Sequence, residues 1–126
     1  MNIVLWVLQI LLAGVFFAHG WFLLFPPPDM VELMNSTMPP AFRIFLGVAE
    51  VLAAVGLVLP AVTRIQPWLV AAAAAGLVIV MVSATGLHIV RGEISSAVIT
   101  AVLLGVATFV AYMRWKVKPI RPRIPA

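Results

Sequence analysis

PWLVAAAAAGLVIVMVSATGLHIV, residues 67–90, contains no aspartate, glutamate, lysine or arginine. It is too long for a strand and apolar on every face, so it is not the surface helix of a soluble globule. At about 1.5 Å per residue it reaches roughly 36 Å, enough to cross a hydrocarbon core about 30 Å thick. The same reading holds outward in both directions. Residues of about 3–25, 41–59 and 94–113 form three further apolar runs of spanning length. The expected fold is therefore all-α, a polytopic membrane protein with a four-transmembrane-helix bundle. Four spans and their connections use nearly all of the 126 residues, so a single domain, 1–126, is expected. With 64% hydrophobic and 10% charged residues, a chain this short has too little interior to hide its apolar surface from water.

Proline and charge punctuate the runs. Pro26-Pro27-Pro28 ends the first span, because proline lacks an amide donor and restricts the residue before it. Asp29 followed by Glu32 has the spacing of a capping pair and predicts a short interfacial helix over Met30–Asn35. Pro39-Pro40 restarts the chain, Pro60 is expected to stop the second span, and Pro67 suits the first turn of the third. Arg91-Gly92-Glu93 reads as a tight turn before the fourth span. Met1-Asn2-Ile3 has no basic residue ahead of the first apolar run, which is read as a retained helix rather than a cleaved signal.

The net charge of +4 is concentrated in a basic tail, residues 114–126, with Arg114, Lys116, Lys118, Arg121 and Arg123. That placement fits anionic lipid headgroups and not nucleic acid. With both termini cytoplasmic, lysine and arginine number six inside and two outside, as the positive-inside rule requires. An inner (plasma) membrane location follows. Cysteine is absent, which excludes disulfides, thiol relays and cysteine metal sites.

Apolar side chains alone do not bring helices together in lipid; small residues that allow close approach do. Gly14 and Ala18, Gly47 through Gly56, Ala71–Gly76, and a fourth-span face of Ala97, Ala101, Gly105 and Thr108 offer such contacts.

Polar groups at membrane depth are the functional candidates, because lipid tolerates them poorly. Glu50 lies roughly 14 Å along the second span by the helical rise. Arg43 lies two turns earlier on nearly the same face, with Gly47 between them. His19 in the first span, His88 near the end of the third, and Arg91 one turn later fall in the same half of the membrane. Some of these five should meet, with Glu50 paired to Arg43 or to a histidine. Gln9 stands alone in the other half. Arg43, His88 and Arg91 also suit a plainer role, reaching from helix ends toward water. No metal or haem is expected, since His19 and His88 differ in depth by roughly 6 Å.

Ala18-His19-Gly20 at the end of the first span, Phe45-Leu46-Gly47-Val48-Ala49-Glu50-Val51-Leu52 in the second, the Pro60 stop, and His88-Ile89-Val90-Arg91-Gly92-Glu93 resemble the DoxX-like small membrane proteins over nearly the full length. The resemblance implies a four-helix membrane bundle. It also implies an association with quinone-linked redox chemistry, since the family takes its name from a subunit of a thiosulfate:quinone oxidoreductase; other relatives serve in assembly. Many relatives carry a lysine shortly after the glycine that closes the first span, where this chain has Trp21-Phe22-Leu23. Three functions remain open. The first is a subunit of a membrane oxidoreductase that binds a quinone or isoprenoid lipid non-covalently through Glu50, His19, His88, Arg43 and Arg91. The second is a non-catalytic assembly protein or scaffold, self-associated or docked on other membrane subunits. The third is an acid–base isomerase or cyclase with Glu50 as general acid.

Overall fold

A computed structural model describes residues 1–123. The end of the basic tail, residues 124–126, lies outside the described residues. Helix α1 (Asn2–Leu24) leads through a proline-rich turn to the short α2 (Val31–Thr37). Helices α3 (Pro40–Thr63), α4 (Trp68–Val90) and α5 (Ile94–Tyr112) follow, and α5 continues into one π-helical turn, Met113–Val117. Among the described residues, four helices are long and apolar enough to cross a membrane: Asn2–Leu24, Pro40–Thr63, Trp68–Val90 and Ile94–Val117. Chain order makes successive long helices antiparallel. The N-terminus, the Arg64 connection and the basic tail share one end, here the near end; α2 and the Arg91 turn share the far end.

Helix α1 packs along α3, α3 along α4, and α4 along α5, whereas α1 and α5 meet only sparsely. The core is a narrow axis of Leu5, Leu12, Phe16, Leu57, Leu77 and Val110, with Ala54, Ala74 and Ala107 where backbones come close. Long exposed apolar strips cover the outside, as expected of helices whose solvent is lipid. Two glycines set the tightest crossing. A Cβ on Gly20 would lie 2.9 Å from the Gly47 carbonyl, and one on Gly47 would lie 3.0 Å from the Gly20 carbonyl. Only two residues without side chains can meet there.

Four local expectations are corrected. Helix α3 does not stop at Pro60 but runs through it to Thr63, ending where Arg64 turns left-handed (φ 57°) and donates its N–H to the Pro60 carbonyl. Proline removes one intrahelical bond, but breaking off would expose several backbone groups to lipid, so continuing is the cheaper solution. Asp29 does not cap α2: the cap position is Met30, with no side-chain bond, and the Met30 N–H is taken by the Pro27 carbonyl in a preceding turn. The short helix accordingly runs over Val31–Thr37 rather than 30–35. On α5 the buried or half-buried strip is Thr100, Leu103, Leu104, Ala107 and Val110, while Ala101, Gly105 and Thr108 are exposed. The strip is rotated away from the small-residue face, of which only Ala97 is buried, so leucine and valine rather than the small residues pack toward the rest of the bundle.

Candidate functional site

The Gly20–Gly47 crossing decides what its neighbours can touch. His19 precedes the first glycine, and Glu50 follows the second by three residues, close to one helical turn. The close backbones bring the His19 Nδ1 to 2.7 Å from Glu50 Oε1. The Glu50 side chain is only 1% exposed, whereas that of His19 is 56% exposed. The pair is therefore a buried carboxylate fixed to an imidazole that reaches the surface at membrane depth. His19 lies on the side of α1 that carries Leu12 and Leu5, by helical spacing. It is nonetheless exposed, and the hydrogen bonds tying α1 to the last helix, from Arg114 to Gln9 and Asn2, lie at the near end. The seam between α1 and α5, which meet only sparsely, is loosely closed.

An Nδ1–H donated to Glu50 fixes the ring orientation and the tautomer, leaving Nε2 as an acceptor toward whatever enters the seam; in the doubly protonated ring Nε2 is a donor. The pair supplies two potential metal donors, and among the described residues no group of three His, Asp or Glu side chains is close enough to share an ion.

The other sequence candidates lie elsewhere. Arg43 does not reach Glu50. It is 8% exposed and donates Nη1–H to the Leu23 carbonyl near the end of α1, with its Nε buried and unpartnered. His88 meets Glu93 at 2.9 Å across the α4–α5 turn, and Arg91 donates to the Thr37 carbonyl at 3.3 Å, tying that turn to α2. The five candidates thus divide into one pair inside the bundle and a set of far-end clasps. Thr85 Oγ–H donates to Thr100 Oγ1 at 2.9 Å, and the Thr100 hydroxyl donates back to its own helix. This bond lies between α4 and α5 below the clasps.

One polar assembly was hidden from sequence reasoning. Gln9 is fully buried; its amide donates to the Leu57 carbonyl at 2.7 Å, and its oxygen accepts from Arg114 Nε at 2.6 Å. Arg114 had read as the first residue of a solvated tail, yet it is 5% exposed. The π-helical turn swings it back into the bundle, where it also bonds Asn2 Oδ1 at 2.8 Å and the Lys118 carbonyl at 3.0 Å. The only sequence signal was Gln9 itself, a buried amide in need of a partner.

Among known proteins, a family model described as the DoxX-like family matches residues 7–110, most of the chain and all of the His19–Glu50 crossing. No curated protein and no solved structure matches the chain.

Proposed function

The chain belongs to the DoxX-like family, and from that premise we propose that it is a quinone- or isoprenoid-binding subunit associated with a membrane oxidoreductase. The observation that carries this reading is the His19–Glu50 pair: a buried carboxylate bonded to an imidazole that is open at membrane depth. An ionisable pair inside a span is costly unless it is used, and it marks a ligand or proton path more often than a stabilising contact. His19 Nε2 accepts from a quinol hydroxyl or donates to a quinone carbonyl, and Glu50 stabilises the imidazolium when the ring holds both protons. The apolar tail lies along the same flank of α1, past Val15 and Leu8, which share the His19 strip by helical spacing. The groove of about 400 Å³ bounded by Ile10, Gly14, Phe17 and Val55 lies on the opposite flank of α1 and is not continuous with this path. The distribution of lysine and arginine supports a plasma-membrane orientation with the near end cytoplasmic.

The test is mass spectrometry of lipophilic molecules that co-purify with the wild-type protein, with Glu50→Gln and with His19→Ala. A stoichiometric quinone or isoprenoid in the wild type that is depleted at least fivefold in both variants, but retained in His88→Ala, is expected. Equal content in all four samples, or no enriched molecule in any, would overturn the proposal. An empty result would favour the assembly role, for which the exposed Ala101–Gly105–Thr108 face of α5 is the supporting feature.

A further inference from the structure

Arg114 has five N–H groups. Its Nε–H goes to Gln9, and its Nη1 donates to Asn2 Oδ1 and the Lys118 carbonyl. Its Nη2 is buried with no partner among the described residues. All three acceptors are neutral, so they satisfy geometry without compensating charge. None of the chain's four carboxylate side chains is available: Glu50 bonds His19, Glu93 bonds His88, and Asp29 and Glu32 lie at the far end. The near end carries Arg64, Arg114, Lys116, Lys118, Arg121 and Arg123, with no acid among them.

Arg114 also lines a cavity of about 700 Å³ at this end. The tail folds back to cover it, held by a bond of 2.8 Å from the Arg123 N–H to the Arg64 carbonyl. Arg64 and Arg123 are exposed on its rim, while Trp68, Ala72, Ala75, Ala111 and Ile120 make its wall apolar. A buried guanidinium with one unpartnered nitrogen, a basic rim and an apolar wall at a membrane boundary match one ligand chemistry. That chemistry is a phosphate oxyanion carried on a lipid: a phosphate oxygen takes the N–H groups of Nη2, the one nitrogen left without a partner, and the acyl chain lies along the alanine face of α4. We propose that this cavity is a specific site for one anionic phospholipid, with Arg114 as the residue that binds its headgroup. The site lies at the opposite end of the bundle from His19–Glu50 and does not depend on the function assigned to that pair. It differs from general attraction of a basic tail to a charged surface in having one place, one guanidinium and one lipid per chain.

The experiment is native mass spectrometry of the full chain in mild detergent, titrated with dioleoyl phosphatidylglycerol, dioleoyl phosphatidylcholine or inorganic phosphate. One phosphatidylglycerol per chain, held at least tenfold more tightly than phosphatidylcholine, is expected. Arg114→Gln should weaken it at least tenfold. Because that variant also disturbs Gln9, Ala72→Trp gives a second reading: it fills the cavity from an exposed position, leaves Arg114 in place, and should also weaken binding at least tenfold. Equal retention of the two lipids, or undiminished binding in Ala72→Trp, overturns the proposal. Displacement of phosphatidylglycerol by an equal concentration of inorganic phosphate overturns the lipid assignment, since the anion alone would then suffice.

Discussion

Gly20→Ala places a methyl group at the tightest point of the bundle. The new Cβ would lie 2.8 Å from Val51 Cγ2 and 2.9 Å from the Gly47 carbonyl oxygen. Val51 can rotate away, but the carbonyl is fixed in a helix. Ordinary contact begins near 3.4 Å, so α1 and α3 must part by roughly half an ångström. Overpacking of this kind costs about 1–3 kcal/mol. Alanine also favours helix over glycine by about 1 kcal/mol, which would mask part of the loss. Gly14→Ala isolates that gain, because a Cβ there meets nothing within 4 Å. The expected outcome is a difference of about 1–3 kcal/mol between the two variants on the same helix, read by reversible denaturation in mixed micelles. The parting should also stretch the His19–Glu50 contact from 2.7 Å toward about 3.2 Å, the limit of a useful hydrogen bond. If the two alanine variants unfold within about 0.5 kcal/mol of each other, the crossing is not the close contact argued here, and the account of how His19 reaches Glu50 fails with it.

Gln9→Leu removes the acceptor of Arg114 Nε and the donor to Leu57, and is expected to cost about 1–3 kcal/mol in the same denaturation assay. Adding Arg114→Met should restore part of that loss, since the charge left short of partners is then gone; a fully additive double mutant would show the pair to be uncoupled. Thr85→Val removes a single interhelical hydroxyl bond, and because such bonds in membranes average about 0.6 kcal/mol, it should shift stability by less than about 1 kcal/mol.

The four spans were legible because lipid imposes one rule on every residue of a helix: length and hydropathy decide, whatever the neighbours are. Local geometry within the spans was less so. Pro60 looked like a terminator because its missing amide is a local fact, whereas the surrounding lipid that makes helix continuation cheaper is not. The Ala97–Thr108 stripe looked like an interface because spacing shows which residues share a face but not which face a partner meets. Glu50 stood out from its depth alone, but its partner did not: Arg43 and a histidine both fitted the spacing, and the Gly20–Gly47 crossing that selects His19 exists only once the two helices lie side by side. Arg114 could not be found that way: its bond to Gln9 crosses 105 residues and needs a π-helical turn that no residue in Met113–Val117 announces.

The two polar sites differ in a way that salt can separate. At the far end the bases have acids to match them: all four carboxylate side chains of the chain lie there with Arg43 and Arg91, and Glu50 and Glu93 are bonded to His19 and His88, so a ligand there adds hydrogen bonds without being required for charge. At the near end every formal side-chain charge is positive, and Arg64 and Arg123 stand exposed at the rim, so an anion is drawn from outside through water. Raising ionic strength from 0.1 to 1 M shortens the screening length from about 10 Å to about 3 Å, which cuts off attraction from rim charges but barely touches a bond sealed in the membrane interior. Phosphatidylglycerol retention should therefore fall several-fold across that range, while the co-purified quinone or isoprenoid stays constant. Loss of both in parallel would mean that the two ligands share one electrostatic site, and the division of the bundle into a matched end and an uncompensated end would have to be abandoned.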